Sequence, residues 1–134
     1  MPKIEITTKN EQETRKTGEL LAKELQGGET LCLQGDLGSG KTTFVQGLAR
    51  GLGIKQWPTS PTFVIIKEYK NLYHIDCYRI NKNALLKLDF KKILKSDKIK
   101  AIEWADKIKD ILPKNKINIK FDFVDEKTRK IIIN

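Results

Sequence analysis

The chain has 134 residues, of which 39% are hydrophobic and 32% are charged, and its formal net charge is +9. This length suits one small domain with its own hydrophobic core, and no apolar run approaches the roughly 18 to 20 residues of a membrane-spanning helix. Two cysteines do not make a disulfide framework, and the N-terminal residues lack the apolar segment of a secretion signal. We therefore expect a cytoplasmic protein with reduced thiols, no membrane association and a single domain over residues 1–134.

The positive charge is concentrated in the C-terminal part of the chain. Residues 80–134 hold 15 basic and 8 acidic residues, whereas residues 1–79 hold 11 and 9. A nucleic-acid-binding surface would explain such a bias, because Lys and Arg neutralise phosphates. However, the chain has only 4 Arg among its 26 basic residues, and Arg is better suited to forked phosphate contacts. A solvated, lysine-rich face is therefore the favoured interpretation.

The first half of the chain alternates between helix and strand signals. Asn10 as N-cap and Glu13 three residues later predict a helix over 10–26, which the glycines after it end. The short apolar run at 29–34 predicts a buried strand, and apolar residues at helical spacing predict a second helix over 42–52. The prolines that follow indicate a loop.

The second half is predicted to complete an α/β fold. Its elements in chain order are strands over 62–69 and 72–76, a helix over 84–95, a strand over 99–104, a helix over 106–112 and an antiparallel hairpin over 117–133. Helices alternating with strands favour three layers, α/β/α, around a mixed sheet.

The run 35–42, GDLGSGKT, matches the phosphate-binding loop pattern G-x-x-x-x-G-K-[ST] in full. In such a loop, backbone N–H groups surround phosphate oxygens and the next helix directs its positive end at them. Lys41 is expected to reach the β- and γ-phosphates, the Thr42 hydroxyl to bind Mg²⁺, and Thr43 to lie at the α-phosphate. The motif predicts a P-loop NTPase that uses Mg²⁺. Because the run NKNA at 81–84 lacks the acid of the guanine-recognition sequence Asn-Lys-x-Asp, the expected nucleotide is ATP or ADP. The nucleotide-binding residues predicted in this segment are Asp36, Leu37, Gly38, Ser39, Gly40, Lys41, Thr42 and Thr43.

Two carboxylates are predicted to complete this site. Asp76 and Glu103 each end an apolar strand, and that position faces the ligand crevice of an α/β sheet. Together with Lys41 they are the predicted catalytic residues, and together with Thr42 the predicted metal ligands. For His74 a hydrogen-bonded structural role is favoured over a general base.

Several further residues admit two interpretations. Trp104 either covers the nucleotide site or fills the core, and Arg50 and Arg79 are internal candidates for an arginine finger, as is a residue of a partner. Cys32 and Cys77 are interpreted as small buried apolar residues rather than nucleophiles. The segment Ser60, Pro61, Thr62 and Phe63 is expected to form either a loop that senses the γ-phosphate or a simple turn.

Four motifs resemble, in order and spacing, the bacterial TsaE (YjeE) ATPases. They are GDLGSGKTT at 35–43, SPTF at 60–63, HIDCYR at 74–79 and IEWA at 102–105. The resemblance covers nearly the whole chain and implies a weak, partner-dependent Mg-ATPase needed for N6-threonylcarbamoyladenosine at position 37 of tRNAs that read ANN codons. It implies action with TsaD and TsaB homologues, contact with tRNA only through that complex, and a place for Glu11 near the adenine. The family is acidic where residues 81–87 of this chain are basic, so partner contacts there stay open.

Two other functions compete with this one. A small-molecule or nucleotide kinase shares the phosphate-binding loop, but it needs a second substrate under a lid, commonly with several Arg clamping phosphates. The low arginine content and the lack of an obvious lid insertion count against it. The other alternative is a non-catalytic nucleotide- or RNA-binding module. Against it stand the intact lysine and threonine of the loop and the two carboxylates at strand ends.

Overall fold

The computed structural model describes residues 3–36, 38–58, 66–80 and 82–134, in which strands and helices alternate. The strands are β1 (Ile4–Thr8), β2 (Thr30–Gln34), β3 (Ile66–Glu68), β4 (Leu72–Asp76), β5 (Ile99–Glu103), β6 (Ile117–Phe123) and β7 (Arg129–Ile133). The helices are α1 (Glu11–Glu24), α2 (Lys41–Gly51), α3 (Lys82–Leu86), α4 (Phe90–Leu94) and a 3₁₀ helix (Ala105–Ile111). None of the helices in these ranges is long and apolar enough to cross a membrane.

The strands form one mixed sheet in the order β1-β7-β6-β2-β5-β4-β3. Its centre is parallel, because β2 pairs with both β5 and β6 in parallel and β5 pairs with β4 in the same way. The outer pairs β1 with β7, β7 with β6 and β3 with β4 are antiparallel. The carboxyl ends of β2, β4 and β5 therefore meet at one edge, where ligands bind in open α/β sheets.

Two hydrophobic clusters cover the two faces of this sheet. Successive strand residues point to opposite faces, and in β2 Leu31 and Leu33 belong to the cluster that holds α1 and α2, whereas Cys32 belongs to the other. The second cluster includes residues of α3, α4 and the 3₁₀ helix. The α/β fold with three layers, a mixed sheet and a C-terminal hairpin is confirmed.

The first helix begins as predicted and lies very close to the second. The Asn10 Oδ1 accepts the Glu13 backbone N–H at 2.8 Å, and the Glu13 carboxylate accepts the N–H of Lys9, the residue before the N-cap, at 2.8 Å, which is a variant of the capping box. A Cβ added to Gly47 of α2 would lie 1.8 Å from the carbonyl oxygen of Arg15 in α1. Only a glycine permits this approach, which fixes the direction of α2 and hence of the loop before it.

Three local predictions need correction. The single helix predicted over 84–95 is two short helices, because Asp89 between them has a left-handed backbone (φ 57°) that no α-helix can continue. The segment predicted as a helix over 106–112 is the tighter 3₁₀ helix. No strand was predicted over β1, which is an edge strand with mostly exposed side chains and little apolar pattern. Of the strand predicted over 62–69, only residues from 66 onward lie within the described ranges.

Candidate functional site

A cavity of about 1050 Å³ lies at the junction of the loop before α2, the ends of β4 and β5, the start of α1 and the turn between β6 and β7. Asp36 is not among the lining residues, although its charge acts on Lys41. Leu37 and the segment from Ser60 to Phe63 lie outside the described residues, so the predicted sensor loop stays a prediction. The predicted site residues that line the cavity are Glu11, Gly38, Ser39, Gly40, Lys41, Thr42, Thr43, Asp76 and Glu103.

The phosphate-binding loop, residues 35–42, leads directly into the N-terminus of α2. Gly40 is the N-cap residue with a left-handed backbone (φ 104°), and no side chain caps the helix. The Ser39 N–H donates to the Asp36 carbonyl at 3.1 Å, which closes a turn within the loop. The first N–H groups of α2 thus have no side-chain acceptor and, with the positive end of the helix, suit an anion.

Lys41 is held inside the loop rather than extended into solvent. Its Nζ donates to the Gly35 carbonyl and lies 3.9 Å from the centroid of the Trp104 ring. Burial lowers the pKa of Lys41, and the carboxylates of Glu103 and Asp76 oppose that shift. A cation this poorly hydrated gains from an anionic partner, as a phosphate would be.

Trp104 covers Lys41 with its ring and also packs, partly buried, against the second hydrophobic cluster. Its ring packs against Tyr78 with centroids 4.8 Å apart, and both residues line the cavity. The backbone of Trp104 has φ 59°, an unusual conformation for a bulky residue and one that concentrates at functional sites. Of the two interpretations left open by the sequence, the structure supports both, because the ring covers Lys41 at the cavity and packs against the second cluster.

The two predicted carboxylates lie side by side. Asp76 is paired with Glu103 in the register of β4 and β5, and the Cys77 N–H donates to the Glu103 carbonyl at 3.0 Å. Burial raises the pKa of Asp76, an effect that the hydrogen bond from the Tyr78 N–H opposes and that the neighbouring Glu103 charge increases. A divalent cation at this point would relieve the repulsion between the two groups.

His74 supports Glu103 from within the sheet. Its Nε2 lies 2.5 Å from Glu103 Oε2, and the ring is fully buried. His74 is not among the residues that line the cavity, which agrees with a hydrogen-bonded role rather than with a general base. Because residues two apart along a strand share a face, His74 lies on the same face of the sheet as Asp76, and the pairing of β4 with β5 brings it to Glu103.

The structure distinguishes the two internal candidates for an arginine finger. Arg79 lines the cavity, whereas Arg50 is not among the lining residues and has its guanidinium 5.0 Å from the Trp57 ring. Arg129 of β7 also lines the cavity and was not among the candidates. Only the folding back of the terminal hairpin brings this residue to the loop.

The donors of the cavity fit a magnesium nucleotide. Ser39 Oγ and Arg129 Nε are buried and have no hydrogen-bond partner among the described residues, so both could bind a phosphate oxygen. The part of the chain that the structure describes contains no group of three or more His, Cys, Asp or Glu side chains that could hold a metal ion without a further ligand. Mg²⁺ keeps waters and takes phosphate oxygens as ligands, so one or two carboxylates with Thr42 are sufficient.

Comparisons with known proteins agree with the fold and the motifs. Residues 8–131 match the model of the family described as "Threonylcarbamoyl adenosine biosynthesis protein TsaE". The chain is 38% identical to the TsaE protein of Bacillus subtilis, covering 98% of this chain and 85% of that protein. It is 36% identical to the TsaE protein of Aquifex aeolicus, covering 96% and 94%. The crystal structure of Bacillus subtilis YdiB superposes with a TM-score of 0.82 at 34% identity, covering 98% of this chain and 84% of that one. The chain belongs to the TsaE family of tRNA threonylcarbamoyladenosine biosynthesis proteins.

Proposed function

We propose that the chain binds ATP with Mg²⁺ and hydrolyses it as a subunit of the machinery that makes N6-threonylcarbamoyladenosine in tRNA. The observation that carries the proposal is the convergence of three groups from separate elements. Lys41 at the start of α2 lies within electrostatic reach of Asp76 and Glu103 at the ends of two neighbouring strands. A phosphoryl-transfer site requires such a cation for the phosphates and such carboxylates for the metal ion and the attacking water.

Each part of the site has a role in this proposal. The N–H groups at the start of α2 and the ammonium of Lys41 would bind the phosphates and offset their charge. Thr42, Asp76 and Glu103 would hold Mg²⁺ and orient the attacking water. Bound Mg²⁺ supplies charge neutralisation at the β- and γ-oxygens. Glu11 and the start of α1 also line the cavity, and the nucleoside would lie beside them.

Calorimetry on two variants tests the nucleotide site. Lys41→Ala should abolish tight binding of Mg-ATP, whereas Lys120→Ala should bind it normally, because Lys120 lies on β6 and pairs with Asp122. Equal affinity of Lys41→Ala and wild type would overturn the assignment of the loop.

A kinetic comparison tests the role of Glu103. Glu103→Gln keeps the size of the side chain and should lower kcat more than it weakens binding, because its carboxylate is needed on the way to the transition state. Parallel losses in kcat and in affinity would indicate a purely structural glutamate.

The wider role rests on membership of the family. We propose that the chain acts with TsaD and TsaB homologues and meets tRNA through them. ATP should promote co-purification with a TsaB–TsaD pair, and Lys41→Ala should reduce that effect. Absence of association with or without ATP would contradict this part of the proposal and would favour the kinase alternative.

A further inference from the structure

Arg129 joins the terminal hairpin to the phosphate-binding loop. One terminal nitrogen, Nη2, donates to the Gly38 carbonyl of the loop at 2.9 Å and to the Glu126 carbonyl of the hairpin turn at 3.3 Å. The other, Nη1, donates to the carbonyls of Asp125 and Thr128 in the turn between β6 and β7, at 2.6 and 3.0 Å. The guanidinium is therefore fixed between two segments that are far apart in the sequence.

The remaining donor of Arg129 has no partner. Its Nε is buried and unpaired among the described residues, and it lies 3.9 Å from the point that a Cβ of Gly40 would occupy. Gly40 is the N-cap of α2 and Arg129 lines the cavity, so this N–H lies beside the positive end of the helix on a residue of the cavity wall. A buried donor without an acceptor destabilises the folded protein, and a ligand oxygen would remove that cost.

The contact with Gly38 also bears on the electrostatics of the loop. A backbone carbonyl oxygen carries partial negative charge and repels a phosphate when it is turned into the binding site. Because the Gly38 carbonyl accepts from a guanidinium, its charge is offset and its direction is set. A charge-assisted hydrogen bond of this kind is about twice as strong as a neutral one.

We propose that Arg129 is a further residue of the phosphate site, which anchors the loop through the Gly38 carbonyl and offers its Nε–H to a phosphate oxygen of the bound nucleotide. The inference rests on the proposed nucleotide binding. It adds a cation from the hairpin to the cation of the loop, and it makes the turn 124–128 part of the binding site.

The chain offers a matched control for this proposal. Lys130 is the next residue of β7, carries the same charge and lies 3.9 Å from the Glu5 carboxylate of β1. It is not among the residues that line the cavity. Lys130→Ala therefore removes one positive charge from the same strand without touching the loop.

The experiment compares wild type, Arg129→Ala, Arg129→Lys and Lys130→Ala by calorimetry with Mg-ADP and with magnesium pyrophosphate. We expect Arg129→Ala to bind both probes at least tenfold more weakly. Arg129→Lys should show an intermediate loss, because it keeps the charge but not the several directed N–H donors of the guanidinium. Lys130→Ala should match wild type. Pyrophosphate has no base or ribose, so a loss with this probe locates the effect at the phosphates.

Four outcomes decide between the proposals. Wild type that binds neither probe overturns the proposed nucleotide site itself. Wild type that binds both, with Arg129→Ala equal to Lys130→Ala, overturns the role of Arg129 alone. If Arg129→Ala does not fold, Arg129→Lys decides. Full affinity for pyrophosphate in that variant would contradict the proposed binding of a phosphate oxygen by the guanidinium. Thermal unfolding without ligand accompanies each measurement, and a lowered midpoint with unchanged affinity would assign Arg129 a merely structural role.

Discussion

Replacement of His74 is the sharpest test of how the sheet supports the site. His74 is 0% and Glu103 is 3% exposed, and the 2.5 Å contact between them is the only hydrogen bond of the ring among the described residues. His74→Phe removes the polar atoms and puts a somewhat larger ring in a fully buried position, so overpacking adds to its cost. It leaves the Glu103 carboxylate buried without this partner, and loss of a hydrogen bond to a charged group costs about 1.5 to 3 kcal/mol. His74→Ala adds a cavity, for which large-to-small substitutions suggest a total of about 4 kcal/mol.

Urea unfolding with linear extrapolation measures these losses directly. His74→Gln keeps an amide donor and should be closer to wild type than His74→Phe. In the same variants kcat for Mg-ATP should fall more than KM rises, because Glu103 is misoriented while the loop is intact. A His74→Phe protein within about 0.5 kcal/mol of wild type, with unchanged kcat, would refute the reasoning that the hydrogen bond positions Glu103.

Three further predictions follow from packing and burial. Gly47→Ala would drive a methyl group into the Arg15 carbonyl and should cost about 3 kcal/mol; an unchanged thermal midpoint would contradict the close helix packing. Burial raises the pKa of Cys32 to about 11 and that of Cys77 to about 12, so iodoacetamide at pH 8 should alkylate the native protein far more slowly than the urea-unfolded one, and similar rates would disprove their inertness. Burial lowers the pKa of Lys41, so the folded state binds fewer protons than the unfolded state between the two pKa values, and stability rises with pH in that window. Lys41→Met should therefore stabilise the ligand-free protein at pH 7 while abolishing nucleotide binding, and this gain should shrink as the pH rises; a lower unfolding midpoint for the variant would count against it.

The elements that could be predicted from the sequence are those with strong local signals. The capping box at Asn10 and the glycine-rich run before α2 depend on interactions between residues a few positions apart. The apolar runs of β2 and β5 indicate buried strands because parallel strands are covered on both faces. The place of Asp76 and Glu103 at the edge of the sheet follows from the same pattern.

The elements that were wrong or missed depend on distant residues. β1 is a strand because β7 pairs with it, and its own sequence carries little apolar pattern. The break at Asp89 lets both short helices, α3 and α4, pack into the second cluster. Tertiary packing rather than a local sequence preference therefore determines it. The 3₁₀ helix begins after Trp104, which has a left-handed backbone. This conformation accompanies the contact of the Trp104 ring with Lys41, a residue distant in the sequence.

The amino-acid sequence by itself determined the phosphate-binding loop, the two strand-end carboxylates and the family, because contiguous motifs carry these in fixed spacing. Only the tertiary structure decided that His74 supports Glu103, that Trp104 covers Lys41 and that Arg129, rather than Arg50, reaches the site. The physical reason is that hydrogen bonds and ring contacts between separate elements depend on strand register and on the return of the terminal hairpin. Neither of these is encoded in any short segment of the chain.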